Sequence, residues 1–267
     1  MFLKNYFFKE KIKQNSYFIW NSKKKNIETI KQFKPLDLKL IIGVDSQKEI
    51  LLKNTINFAE GNFTNNALLW GARGNGKSSL IKSVFHKILI SYKKLNLIQL
   101  NKNDIFDIEY IYSILGKYNH FRFIIFIDDL SFEKIDSDYK IIKSTLDGSI
   151  QNQPTNILLY VSSNRRHLMP RDMIDNERSS AIHTDESVEE KISLSDRFGL
   201  WIGFHKLSQL DYLKIIETYC HHYDIDYNEE INKKAIQWSL QRGNRTGRTA
   251  WQFILSTASD QNLKIKI

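Results

Sequence analysis

The run Gly71-Ala72-Arg73-Gly74-Asn75-Gly76-Lys77-Ser78 decides how the rest of the chain is read. It satisfies G-x-x-x-x-G-K-[ST], the pattern of a phosphate-cradling P-loop, at every fixed position. The residue types follow from the chemistry. Glycines let the backbone curl so that successive N–H groups converge on an anionic phosphate chain. Lys77 supplies a cation for the β- and γ-phosphates, and Ser78 a hydroxyl for Mg²⁺. Upstream, Ala67-Leu68-Leu69-Trp70 is a compact apolar run suited to a buried strand. Downstream, Leu80, Ile81, Val84, Phe85, Ile88 and Leu89 recur at helical spacing. Strand, glycine loop and helix in that order aim a helix N-terminus at phosphate. A Gly-rich turn between two core elements is the bland alternative, and the flanking strand and helix argue against it. Nucleotide binding is the first expectation.

A second anchor lies about 50 residues on, the spacing expected of a nucleotide site. Phe123-Ile124-Ile125-Phe126-Ile127-Asp128-Asp129 is an apolar run without alternation, as in a parallel strand buried on both faces, and it ends in two carboxylates. Ligands of open α/β sheets bind beyond the carboxyl ends of the strands. Asp128 is therefore the expected Mg²⁺ ligand, usually through water, and Asp129 the residue to orient or deprotonate the attacking water. Asn156-Ile157-Leu158-Leu159-Tyr160-Val161 reads as another buried strand running into Ser162-Ser163-Asn164. Asn164 at that tip suits a γ-phosphate sensor; a turn Asn satisfying local backbone is the alternative.

Further strands are expected at Leu95–Leu100 and at Leu200-Trp201-Ile202-Gly203-Phe204, and helices at 46–58, 104–115 and from about Asp138, with Tyr139, Ile142, Leu146 and Ile150 on one face. Residues 165–186 read as a long polar loop, and Ser187-Val188-Glu189-Glu190 as a capping box opening a short helix that ends near Ser195-Asp196-Arg197-Phe198. From Ser208 the pattern is purely helical. Ser208 with Asp211 resembles a weaker, Asp-containing helix-start signal, Leu210, Leu213, Ile216 and Cys220 follow, a second helix spans about Glu229–Leu240, and a third opens at Gly247-Arg248. Trp238 and Trp251 are the expected core of this small helical domain. His205, His221 and His222 have no metal-ligand spacing.

The chain of 267 residues has room for one sizeable core and a small satellite domain. It has no apolar stretch near ~18 residues and no signal-peptide pattern. One cysteine, Cys220, excludes an internal disulfide and reads as a small buried hydrophobe. A soluble cytoplasmic protein is expected. The net charge of +9 is uneven: residues 1–39 hold ten lysines against Glu10, Glu28 and Asp37, so this segment carries +7 and the rest only +2. A basic groove across the core is not supported by that distribution. The segment itself, with Tyr6-Phe7-Phe8 and Tyr17-Phe18-Ile19-Trp20, reads as an arm packing aromatics on the core while its lysines stay solvated; contact with single-stranded nucleic acid is the rival. Nine of the ten arginines lie in or near the segments discussed here, where a planar guanidinium has a use.

In order, the P-loop, a strand ending Asp-Asp, a strand ending in Asn, Asp-Arg-Phe and a helix opening with Arg resemble the AAA+ ATPases. More narrowly the chain resembles a bacterial AAA+ ATP-binding family of unassigned role, domain of unknown function number eight-one-five. The matching runs include Ile42-Gly43-Val44-Asp45, Leu69 through Ser79, Asp128-Asp129-Leu130-Ser131-Phe132, Ser163-Asn164-Arg165-Arg166-His167-Leu168, Ser193 through Trp201 and Gly247-Arg248-Thr249-Ala250-Trp251-Gln252-Phe253. The resemblance spans roughly 36–258 and leaves the arm outside. It implies an α/β P-loop NTPase fold, a three-layer αβα core with a parallel sheet plus a small C-terminal helical lid, divided as 1–40 arm, 41–206 core and 207–267 lid.

It also implies roles. Ile42, Gly43 and Val44 would pack near the adenine, and Gly71, Ala72, Arg73, Gly74, Asn75, Gly76, Lys77, Ser78 and Ser79 would surround the phosphates, with Ser78 and Asp128 on Mg²⁺. Arg197 falls where the superfamily places its arginine finger, reaching a neighbouring subunit, and Arg248 on the second sensor, with Arg245 its competitor. A surface salt bridge is the alternative for each. Lys77, Asp128, Asp129, Asn164, Arg197 and Arg248 form the expected catalytic set. One departure matters: these enzymes usually carry Glu where this chain has Asp129, one methylene shorter, and errors of ~1 Å can cost 10²-fold in rate. The expectation is a Mg²⁺-dependent ATPase, a ring-forming homo-oligomer acting on an unidentified macromolecular client. A catalytically weak ATP-gated switch is the first rival and a DNA-associated loader the second.

Overall fold

The structure is a computed structural model that describes residues 2–133, 137–146, 153–168 and 194–265. By compactness the chain forms two units. One comprises residues 1–33, 52–70 and 88–203; the other comprises residues 34–51, 71–87 and 204–267. The phosphate loop thus groups with the C-terminal helices, whereas the sequence motifs alone assign it to the sheet domain.

The first unit is built on a seven-stranded sheet. Its strands are β1 (Tyr17–Asn21), β2 (Asn26–Thr29), β3 (Ala67–Gly71), β4 (Leu95–Leu100), β5 (Arg122–Ile127), β6 (Ile157–Ser163) and β7 (Leu200–Phe204), in spatial order β2-β1-β4-β5-β6-β3-β7. β1 with β4, β4 with β5, β5 with β6 and β6 with β3 are parallel; β1 and β2 are antiparallel. The central strands are the continuous apolar runs. Phe123 through Ile127 of β5 and Leu159 through Val161 of β6 are all but inaccessible to solvent, as strands covered on both faces must be. The register sets Ile127 beside Val161, and Leu69 and Trp70 beside Ser162 and Ser163. The carboxyl ends of β5, β6 and β3 therefore share one edge of the sheet, and the phosphate loop follows directly on the end of β3.

The N-terminal segment belongs to the sheet unit. A helix α1 (Phe2–Gln14) leads into β1 and β2, which extend the sheet beyond β4. Phe8, Phe18 and Trp20 are buried with Ile27, so these three aromatics pack on the core. Trp20 Nε1 donates to Asp107 Oδ2 at 2.8 Å, and Lys25 pairs with the same carboxylate. Helix α2 (Asp45–Glu60) follows, and α3 (Lys77–Leu89) leaves the phosphate loop. The helix expected over 104–115 is a 3₁₀ turn at Lys102–Asp107 followed by α4 (Ile108–Leu115). Helix α5 (Ser137–Leu146) buries Tyr139 and Ile142 as expected; Ile150 lies outside the described residues.

In the second unit α6 (Gln209–His222), α7 (Glu229–Gln241) and α8 (Gly247–Asp260) enclose a core of Tyr212, Ile216, Cys220, Ala235, Ala250 and Ile254. Each start is capped by a side chain: Ser208 with Asp211 in a reciprocal capping box, Asn228, and Thr246. One apolar position faces outward and one expectation fails. Leu210 is 79% exposed, because position two of α6 faces away from the core that Tyr212, Ile215 and Ile216 fill. Trp238 and Trp251 are only partly buried and flank that core; the small side chains Ala235 and Ala250 let the helices approach in its centre.

Candidate nucleotide site

The phosphate loop shows why its glycines are required. Gly71, Gly74 and Gly76 have φ of +135°, +85° and +90°, in the region that side chains resist. A Cβ on Gly71 would lie 2.0 Å from Phe204 O, so no other residue fits there. Lys77 opens α3, is 6% exposed, and donates from Nζ to Gly71 O at 2.7 Å and Ala72 O at 3.0 Å. Leu80 N reaches back to Gly76 O at 2.7 Å, which leaves the amides of the first turn pointing toward the loop. Asn75 is buried and ties the loop to the chain leading into α6, its Nδ2 donating to His205 O at 2.7 Å. Ser78 is half-buried, and Ser79 is exposed.

The start of α8 rests on this loop. Arg248 N donates to Gly74 O at 3.2 Å, and a Cβ on Gly74 would meet Thr246 Oγ1 at 3.0 Å and Arg248 Cβ at 3.3 Å. Arg248 and Arg245 both line a cavity bounded by Ala72–Asn75, so the structure brings both candidates for the second sensor to the loop. Arg245 additionally donates to Gln209 Oε1 at 3.3 Å. The segment expected at the adenine also belongs here. Gly43 has φ +78°, and a Cβ on it would lie 3.3 Å from Leu207 and 3.5 Å from Asp211. Ile42 packs on the helical core, Val44 is buried, and Ile41 Cγ2 lies 3.9 Å from the Cβ position of Gly76.

The acidic residues belong to the sheet unit, at the carboxyl ends of its strands. Asp128 is half-buried, Asp129 exposed. Ser162 Oγ donates to Asp128 Oδ1 and accepts from Asp129 N at 3.0 Å; its carbonyl accepts from Leu130 N at 2.8 Å. Asp129 sits at φ +54°, and Asn164 Nδ2 donates to its Oδ1. Asn164 and Asp129 thus form one polar pair at the strand tips. Ser162 is a residue that sequence reasoning passes over: its role appears only once the register sets β6 beside β5. The carboxylate oxygens of Asp128 in the sheet unit, and the hydroxyl oxygen of Ser78 in the helical unit, are each hard donors of the kind Mg²⁺ prefers. Among the described residues no group of three or more His, Cys, Asp or Glu side chains could hold a metal by itself.

Beyond Asn164 the chain is fixed by its own side chains. Arg165 donates to Phe132 O at 3.0 Å and pairs with Glu133 at 2.9 Å. The guanidinium of Arg166 lies between two indoles, 5.1 Å from the Trp70 ring centroid and 5.7 Å from that of Trp201. His167 meets the edge of Trp201 at 5.5 Å and Ser195 Oγ at 3.4 Å, and Trp201 Nε1 donates to Ser195 O. Ser195 is fully buried two residues before Arg197, which is itself half-buried. The segment following Asn164 therefore braces the turn that carries Arg197. The capping box expected at 187–190, with Arg171 and Arg178, lies outside the described residues.

The family described as protein of unknown function DUF815 matches residues 13–261. The match includes most of the segment that the sequence motifs leave outside the resemblance. A comparison with curated protein sequences returned no significant match. Among solved structures, a variant of RuvB from Thermotoga maritima superposes with TM-score 0.54 at 16% identity, over 87% of this chain and 74% of that one. Domain III of the Thermotoga maritima replication initiation protein DnaA gives 0.54 at 13%, over 87% and 94%. The Aeropyrum pernix Orc1 protein, solved in complex with DNA, gives 0.57 at 13%, over 84% and 62%. At such identities the likeness carries the fold and nothing finer. No helix among the described residues is long and apolar enough to cross a membrane. The chain belongs to the DUF815 family, and its α/β architecture, a mostly parallel sheet followed by C-terminal helices, is that of the AAA+ proteins.

Proposed function

We propose that the chain binds and hydrolyses Mg²⁺-ATP and converts nucleotide state into movement of its C-terminal helices or of neighbouring subunits against a macromolecular client. The observation that carries this reading is the phosphate loop itself: three glycines at positive φ, a buried Lys77, and the first turn of α8 in contact with Gly74. In this reading Lys77 and the loop amides bind the phosphate chain, and Ile42–Val44 border the base. Ser78 and Asp128 hold Mg²⁺, whose charge would offset that of the β- and γ-phosphates. Asp129 orients the attacking water, Asn164 senses the γ-phosphate through it, and Arg248 does so from α8. Arg197 serves a neighbouring subunit, which makes the active form a homo-oligomer. The test is calorimetric titration of Mg²⁺-ATP alongside steady-state phosphate release, with Lys77→Ala as the control. Binding in the parent and loss of both signals in the variant are expected; turnover that survives the substitution refutes the assignment.

A second reading, a slow nucleotide-gated switch, draws on Asp129. Its carboxylate is shorter than the usual Glu, and it is engaged by Asn164. Tight ATP binding with negligible phosphate release would favour it. The loader reading rests on the basic residues, and here it has less to draw on. Arg165 and Arg166 are held by Glu133, Phe132 and two tryptophans, and Lys13, Lys24 and Lys25 pair with Glu10, Glu28 and Asp107.

A further inference from the structure

Strand β6 is buried along its whole length, Ile157–Ser163, and a strand covered on both faces is ordinarily apolar throughout. Its last two residues depart from that rule. Ser162 and Ser163 are buried, so each hydroxyl has left water and needs partners inside the sheet unit. Both find them on residues 128–130, directly after β5. Ser163 Oγ donates to Leu130 O at 2.6 Å and accepts from Arg165 N at 3.1 Å, which are backbone groups. Ser162 differs, because one of its partners is a charged side chain. Its Oγ donates to Asp128 Oδ1 while accepting from Asp129 N at 3.0 Å. An ionised carboxylate only accepts and an amide only donates, so the direction of both bonds is fixed.

The Ser162 hydroxyl is thereby held in one orientation, its acceptor side on the Asp129 amide and its proton toward the Asp128 carboxylate. The carboxylate has need of such a hold. The last torsion of an aspartate is broad and roughly two-fold, so the backbone alone does not orient a half-buried Asp128 at the end of β5. The turn beyond it is tied to the same residue. Asp129, at φ +54°, donates to the Ser162 hydroxyl, and Leu130 N donates to the Ser162 carbonyl at 2.8 Å. A charge-assisted hydrogen bond to one oxygen of a ligating carboxylate is how residues behind a metal ligand fix its direction. We propose, on the reading of Asp128 as the Mg²⁺ ligand of an ATP-binding chain, that Ser162 is its positioning residue. Ser162 does not touch the ion; its hydroxyl sets the direction in which the Asp128 carboxylate receives it.

The test needs no turnover. Mn²⁺, which takes the same oxygen ligands, is titrated onto the full chain held in excess over ATP, and the bound ion is read from the loss of the free-ion EPR signal. ATP affinity is measured separately in EDTA. Ser162→Ala adds no bulk and should weaken Mn²⁺ by about 10–100-fold, while metal-free ATP affinity stays within about twofold of the parent. Ser162→Thr keeps the hydroxyl and should stay within about threefold of the parent for Mn²⁺. Ser163→Ala deletes the neighbouring backbone bonds and is the structural control: its thermal unfolding should fall and its Mn²⁺ affinity should not. Ser162→Cys, which keeps the volume and offers only a weak S–H donor, replaces the alanine variant should that one fail to fold. Mn²⁺ affinity unchanged in Ser162→Ala, or reduced equally in Ser163→Ala, overturns the proposal. A parent that takes neither ATP nor Mn²⁺ removes the nucleotide reading and this role with it. A parent that takes both, with Ser162→Ala indistinguishable from it, removes this role alone.

Discussion

Two single positions carry most of the chemistry proposed for this chain. Gly74 is constrained twice, by φ +85° and by contact with Thr246 and Arg248. In Gly74→Ala the left-handed backbone costs about 1–2 kcal/mol, and the new methyl group pushes against the start of α8. The expected outcome is a chain that still folds, with thermal unfolding a few degrees lower, and that binds Mg²⁺-ATP at least about tenfold more weakly. Unaltered ATP affinity in that variant would show that the contact between loop and α8 is incidental. Asp129 is the other position. Asn shares the tolerance of Asp for left-handed backbone, so Asp129→Asn at φ +54° keeps the turn while removing the negative charge. ATP affinity should persist and phosphate release fall by about 10²-fold, as expected when a general base or water-orienting group is lost. The two are read separately by calorimetry and by release kinetics, and equal losses in both would contradict the assigned role.

Among the elements, the link between β6 and β7 is the most informative. Trp201 on β7 holds Ser195 O through its indole N–H and carries Arg166 and His167 on its ring. Trp201→Phe keeps an aromatic face and deletes one hydrogen bond, a loss of about 1 kcal/mol in stability. If that bond fixes the turn bearing Arg197, turnover of the assembled protein should drop several-fold while ATP affinity of the isolated chain stays put. A parallel fall in both quantities would mean that the change is merely structural. The same elements show what could be read from sequence. β3, β5 and β6 were legible because a strand covered on both faces must be apolar throughout, and their polar ends then mark the site edge. The start of α6 was legible from local chemistry, since Ser208 with Asp211 announces a helix entry, whereas α8 was legible only from the spacing of Ala250, Ile254 and Ala258, and its cap Thr246 was not. β1 was not, although Phe18 and Trp20 alternate with less buried neighbours, because the surrounding lysines mask a half-buried pattern. Ser162 was illegible for another reason. A serine at a strand tip acquires its partner only from pairing in the sheet, which no local spacing encodes.

Across the whole molecule, one response should appear in both units. Burial pushes the phenols of Tyr160, Tyr212 and Tyr219 up to about 12, and drives that of Tyr112 upward as well. Tyr112 and Tyr160 belong to the sheet unit, Tyr212 and Tyr219 to the helical one. A phenol whose pKa is higher folded than unfolded keeps its proton in the native state after the unfolded chain has lost it. Its stabilising effect is complete below about pH 10 and is lost as the pH climbs toward 12. Tyr160 is the cleanest case, being fully buried with its hydroxyl bonded to Thr55 at 2.8 Å and Asn54 at 3.1 Å, contacts that moderate the rise without cancelling it. A displacement from 10.0 to about 12 corresponds to roughly 2–3 kcal/mol at the alkaline limit. Urea unfolding measured from pH 8 to 12 should therefore give a level free energy up to about pH 10 and a steep fall beyond it. Tyr160→Phe should begin about 1 kcal/mol lower at neutral pH, having lost its hydrogen bonds, and then fall less steeply, so that the two curves converge. Parallel curves for parent and variant above pH 10 would show that this phenol is not what the folded sheet protects.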